Sequence, residues 1–240
     1  MSSYRTNWKK NKHATVLLSF FFIFSMLEIS AEFWGNENLI WLSKPFIIPF
    51  LIVYYLKRSK KINKLFLVSL LFSWIANLLF LQNTLDFIYY GVIFFILYRI
   101  GIIYTIVSKV KMPSVTPLLI GCVPFVFIYA FATLFTFTTI GESVYLFLSQ
   151  GIFTIFLGGF SLGNYILNPN KQNALLLIST LLMTFSQFLF LLKFFYDAEN
   201  ILQASAMILF VYGQFLLTKY IFHTEKHKEK IIVIKNLKEI

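Results

Sequence analysis

Lys44, Arg99 and Glu28 stand inside stretches of the chain that are otherwise apolar, and that placement makes them the first candidates for chemistry. A cation held away from water needs an anionic partner, either a protein carboxylate or a ligand's phosphate or carboxylate. A carboxyl group in the same setting can pair with such a cation or deliver a proton. Uncharged polar residues accompany these three in stripes. Ser69, Ser73 and Asn77 recur every fourth residue and share one helical face. Thr180, Thr184 and Gln187 follow at i, i+4 and i+7, with Ser186 beside them. Gln203 and Gln214 share a third face, and Thr218 follows Gln214 by one turn. Lys44, Asn77, Arg99, Gln187 and Gln214 are expected to converge on a polar cavity, with Glu28 near enough to pair with Lys44. The competing reading makes the stripes interhelical hydrogen bonds, each contributing on the order of 0.6 kcal/mol.

Other reactive groups are scarce. His13, His223 and His227 fall in the N-terminal arm or the C-terminal tail, and Cys122 is the single cysteine. One cysteine excludes an internal disulfide and a multi-cysteine metal site. No metal and no cofactor is expected.

Helices must hold these groups at depth. The apolar stretches run 14–30, 39–56, 64–82, 86–107, 115–137, 144–167, 174–196 and 201–222. Nearly all approach or exceed the ~20 residues a helix needs to cross a bilayer core. Of the 21 Lys and Arg residues, all but Lys44, Arg99 and Lys193 lie in every second gap between these stretches. Arg5, Lys9, Lys10 and Lys12 fill the N-terminal arm, and Lys57, Arg58, Lys60, Lys61 and Lys64 the next basic gap. Lys109, Lys111 and Lys171 follow, and the tail carries Lys219, Lys226, Lys228, Lys230, Lys235 and Lys238. The intervening gaps hold Glu32, Glu37, Asp86, Glu142, Asp197 and Glu199 instead. Short basic loops stay in the cytoplasm. The pattern predicts an all-α polytopic membrane bundle of eight transmembrane helices with both termini cytoplasmic. Lys193, near the end of its span, can snorkel to the interface.

With 58 % apolar and 20 % aromatic residues, little is left for a soluble domain. Residues 1–222 read as one transmembrane domain, and 223–240 as a short basic cytoplasmic tail. Topology accounts for the net charge of +11, so anionic lipid head groups, not nucleic acid, are the expected partner. The first span is expected to be an uncleaved anchor, because the second begins only a few residues later. Heavy use of Lys, Asn, Ile and Phe hints at an AT-rich bacterial genome and hence a bacterial plasma membrane.

Prolines and glycines mark where backbones bend or meet. Pro45 and Pro49 remove two amide donors in the second span, and Pro124 is expected to kink the fifth. Asn168-Pro169-Asn170 signals a turn. Gly159 and Gly163 form a small-xxx-small pair suited to close helix contact.

Ser43-Lys44-Pro45 in span two, Ser73 to Leu79 in span three, Ser186-Gln187 in span seven and Tyr212-Gly213-Gln214 in span eight together carry a resemblance. In that order they resemble the YhhN or lysoplasmalogenase-like family, whose members are eight-span bundles. The resemblance implies cleavage of the vinyl ether bond of lysoplasmalogens. It also implies two aspartates as the acids, in a Gly-Asp pair in span three and a Ser-Asp pair in span seven. This chain has Ala76-Asn77 and Ser186-Gln187 there. Vinyl ether hydrolysis needs a proton delivered to carbon, and amides cannot carry one near neutral pH. The expected function is therefore that of a lysoplasmalogenase-like protein that binds a lysophospholipid or similar amphiphile. Replacement of both aspartates speaks against ether hydrolysis. One alternative is an active hydrolase with Glu28 as its acid. Another is a small non-enzymatic membrane transporter or scaffold.

Overall fold

A computed structural model describes the backbone of residues 2–82, 84–140, 144–196 and 200–238, and side chains within residues 13–82, 84–134, 145–193 and 200–225. Glu142, Asp197, Glu199 and the basic side chains of the arm and of the segment beyond Glu225 lie outside those described. Eight helices follow one another: α1 (Ser2–Trp34), α2 (Glu37–Arg58), α3 (Lys64–Leu79), α4 (Leu85–Val107), α5 (Val115–Ile140), α6 (Val144–Leu167), α7 (Lys171–Tyr196) and α8 (Asn200–Lys238). All eight contain a segment long and apolar enough to cross a membrane, and no strand occurs among the described residues. The bundle is all-α and membrane-spanning.

Local chemistry sets the helix ends. Asn36 accepts from the Leu39 amide at 3.2 Å and starts α2, while Glu37 places an acid in the first turn, where the helix dipole favours it. Asn63 accepts from the amides of Leu65 and Phe66 to start α3. At the Asn168–Asn170 turn, Asn170 Oδ1 accepts from the Asn173 amide at 2.9 Å. The Asn173 side chain in turn donates to the carbonyls of Asn164 and Asn168 at the end of α6. Gly35 joins α1 to α2 with φ +67°, and a Cβ there would sit 2.9 Å from the Asn200 amide nitrogen. The backbone angle favours glycine, and the Asn200 side chain would have to move aside for any other residue.

Consecutive helices pair as hairpins α1–α2, α3–α4, α5–α6 and α7–α8, and α1 packs on α8 to close the arrangement. The α5–α6 hairpin is close at its glycines. A Cβ on Gly121 would lie 2.5 Å from the Gly159 carbonyl oxygen and 2.9 Å from the Gly163 nitrogen. The small residues therefore let two backbones touch.

The proline pair in α2 is resolved from a neighbouring helix. Pro49 has no N–H to offer the carbonyl one turn earlier, that of Pro45. Trp74 Nε1 on α3 donates to that carbonyl at 2.9 Å. At the basic end, Glu225 accepts from Tyr55 Oη at 2.7 Å and Ser59 Oγ at 2.8 Å, while Tyr55 Oη accepts from the Asn63 amide at 2.8 Å. One carboxylate so ties α8 to the α2–α3 turn. The segment after Phe222, read from sequence as a tail, continues α8 without a break to Lys238.

Candidate functional site

Lys44 occupies the middle of a buried charge cluster. Its Nζ lies 3.1 Å from Glu28 Oε1 and 2.8 Å from Glu32 Oε1. Glu28 and Glu32 are four residues apart on α1 and face the same neighbour. Glu32 corrects the sequence reading, which placed it in a loop: α1 runs on to Trp34, and Glu32 is buried. The apolar run ends earlier, but a carboxylate paired to a buried cation can continue a helix past it. Gln203 Nε2 approaches Glu32 Oε1 from α8 at 3.5 Å. One cation against two carboxylates leaves this cluster with a formal charge of −1.

Lys44 also lines a cavity of about 120 Å³. The wall is mainly aromatic and aliphatic, with Phe80, Phe95, Phe147, Phe190 and Phe210 contributing from five parts of the chain. Asn77 on α3 and Gln187 on α7 both line it, together with Gln150, Thr184, Ser186 and Gln203. Towards the acidic end, Lys44, Phe80, Phe190 and Gln203 are shared with a wider vestibule of about 630 Å³. Glu32, Glu37, Gln82, Lys193 and Asn200 line that vestibule. An apolar chamber thus shares a wall with a polar vestibule, a pairing suited to a molecule with one greasy and one polar part.

The polar groups of the chamber are already partly engaged. Asn77 Nδ2 donates to the Ser73 carbonyl at 2.7 Å. Gln187 Oε1 accepts from Tyr129 Oη at 3.1 Å, and Thr154 Oγ1 reaches it at 3.4 Å. Gln187 Nε2 is buried and has no hydrogen-bond partner among the described residues. Ser186 Oγ donates to the Ala206 carbonyl at 2.7 Å and Thr184 Oγ1 to the Thr180 carbonyl at 2.8 Å, so these two hydroxyls are spent on helices α7 and α8.

Two residues expected in the cavity lie outside its lining. Gln214 is fully buried, donates to Ser73 Oγ at 3.1 Å and accepts from Tyr98 Oη at 3.2 Å. Its amide is consumed in joining α3, α4 and α8. Arg99 is 1 % exposed, with its guanidinium carbon 5.9 Å from the centre of the Phe95 ring. None of its three side-chain nitrogens has a hydrogen-bond partner, and no carboxylate pairs with it among the described residues. Tyr129 and Gln150 line the cavity without having been singled out from sequence. Isolated in apolar spans, they offer no periodic signal.

Among the described residues no group of three His, Cys, Asp or Glu side chains is placed to hold a metal ion. The chamber is lined by Lys44, amides, hydroxyls, aromatic rings and aliphatic side chains. Such a set can bind and orient, and none of its amides or hydroxyls is a carboxyl acid.

Neither the curated proteins nor the solved structures gave a match to this chain. The profile of the YhhN family, by contrast, matches residues 39–221, from the first turn of α2 to the membrane portion of α8. That segment contains Lys44, Asn77, Arg99, Gln187 and Gln214, and the chain belongs to the YhhN family.

Proposed function

We propose that this membrane protein is a lysoplasmalogenase-like binder: it holds a lysophospholipid or similar single-chain amphiphile in the chamber and does not cleave a vinyl ether. The observation that carries this reading is the pair of amides. Asn77 and Gln187 stand where the resembling enzymes are expected to keep aspartates, and both line one apolar chamber that shares a wall with a polar vestibule. The apolar walls of the chamber suit the chain of an amphiphile. One feature favours hydrolysis as a second reading, since Glu32 lines the vestibule within reach of Lys44. Both carboxylates near Lys44 are nevertheless ion-paired with its ammonium.

Binding and turnover separate the readings. Purified protein in a non-ionic detergent should bind a lysoplasmalogen saturably and release no aldehyde. A relative that keeps both aspartates, assayed beside it, should release aldehyde readily. Comparable turnover by the two proteins would reject the binder in favour of the hydrolase, and absence of saturable binding would favour a transporter or scaffold of other specificity.

The proposal includes an orientation, with both ends in the cytoplasm of a bacterial plasma membrane. It is supported by Lys57, Arg58, Lys60, Lys61, Lys109, Lys111 and Lys171, which lie in the gaps on the same side as the ends. A reporter active only in the cytoplasm should work when fused after Phe222 and fail when fused near Asp197. The opposite pattern would invert the protein in the membrane.

A further inference from the structure

We infer that Arg99, with the amide of Gln187, forms an anion-receiving floor to the chamber, so that the bound amphiphile ends in a carboxylate or phosphate placed there and not at Lys44. The inference rests on the proposed binding of an amphiphile in this chamber and adds which end of it carries charge.

Ile88, Val92 and Phe95 are the wall that α4 presents to the chamber, together with Tyr89. Their spacing of four and three residues continues to Arg99 four residues on, which puts Arg99 on the same face one turn nearer the basic end. Side chains on a helix lean towards its N-terminus. For Arg99 that direction is back towards Phe95 and the chamber, and the guanidinium indeed lies over the Phe95 ring. Tyr129, its neighbour in the electrostatic field, lines the chamber and donates to Gln187.

Among the described residues the buried nitrogen donors left unused are the guanidinium of Arg99, beneath the Phe95 wall, and Nε2 of Gln187 in the chamber lining. Apart from the hydroxyls of Thr105 and Tyr220, the unpartnered acceptors are Gln203 Oε1 and the Glu28 carboxylate at the acidic end. A buried guanidinium without a partner is a heavy burden in a membrane bundle. Its planar fork of N–H groups matches a carboxylate or phosphate in two parallel hydrogen bonds. Lys44 cannot take that role, because Glu28 and Glu32 already surround its ammonium and leave the cluster net negative. An anion approaching Lys44 meets two carboxylates, whereas one approaching Arg99 meets a cation and an amide donor.

The test compares ligands with the same chain and different ends. Full-length protein in a non-ionic detergent is titrated with dodecanoate, dodecyl phosphate and dodecanol. At least one of the two anionic ligands should bind about tenfold or more tightly than the alcohol, the range expected of a hydrogen bond to a charged group. Arg99→Gln should reduce the anions to the level of the alcohol and leave the alcohol unchanged, while Arg99→Lys should keep part of the preference. Gln187→Leu should weaken the anions more than the alcohol. Equal binding of all three ligands by the unmodified protein would overturn the anionic floor and leave the amphiphile reading standing. Retention of the full preference by Arg99→Gln would also overturn it. No binding of any of the three would reject both. Displacement of dodecanoate by inorganic phosphate alone would assign the site to a free anion and overturn the amphiphilic ligand. Should Arg99→Gln fail to fold, the ligand comparison on the unmodified protein and on Gln187→Leu still decides the matter.

Discussion

Replacing Lys44 by methionine should lower the stability of the bundle by about 3–5 kcal/mol, the usual result of removing one partner from a buried ion pair. The magnitude follows from what remains. Lys44 is 5 % exposed, and the two carboxylates it neutralises sit one helical turn apart on α1, with Glu28 fully buried. Without the ammonium two like charges remain one turn apart, and Glu28 is buried with nothing to neutralise it. Adding Glu28→Gln and Glu32→Gln to Lys44→Met should recover most of the loss, since the triple variant buries amides in place of unpaired charges. Glu28→Gln alone should cost less, because Lys44 keeps Glu32 at 2.8 Å. Equilibrium unfolding in mixed detergent micelles reads all three. A Lys44→Met protein within about 1 kcal/mol of the parent would mean that the cluster is hydrated and not a buried triad.

The second large effect concerns chemistry. Changing Asn77→Asp together with Gln187→Asp should install vinyl ether hydrolysis, raising aldehyde release from lysoplasmalogen by about 10²–10⁴-fold over the unmodified background, the contribution of a positioned acid or base. Both positions line the same chamber, so the two new carboxyls would meet one ligand. At position 77 the Ser73 carbonyl, which now accepts from the amide, would accept instead from a protonated carboxyl. At position 187 the Tyr129 hydroxyl would donate to the carboxyl as it now donates to Gln187. One group is thus favoured as the acid and the other as the acceptor that readies water. Single changes should yield much less than the pair. Turnover by the unmodified protein that survives both Glu28→Gln and Glu32→Gln would contradict this account, since neither carboxylates nor restored acids would then be needed.

Much of this architecture was legible because crossing a bilayer imposes length and composition on each helix separately. The eight apolar stretches and the turn at Asn168–Asn170 are local features and need no knowledge of neighbours. What stayed hidden depends on which helices touch. The free carbonyl made by Pro49 could be anticipated, but its donor is Trp74, on another helix. Gln214 could be marked as polar and buried, but Ser73 and Tyr98, more than a hundred residues away in sequence, take up its amide. Glu32 was hidden for a different reason. The hydropathy that defines a span ends before it, while the helix continues because Lys44 waits on the next element. The family profile begins at residue 39, so it too reveals Lys44 without the two carboxylates that neutralise it.

The pairing of Lys44 with Glu28 and Glu32 bears on how the chain is made. All three charges belong to the first hairpin, so nothing synthesised after Arg58 is required to cancel the ammonium. The ribosome can hand the membrane a hairpin whose lysine is already matched. Gln214 and Ser73 are in the opposite position, because α3 must wait for the last helix before its hydroxyl finds the amide. Arg99 finds no carboxylate at either stage, within its own hairpin or among the described helices that follow. Among the described residues, biosynthesis thus leaves the Arg99 guanidinium without an ion-pair partner from the chain.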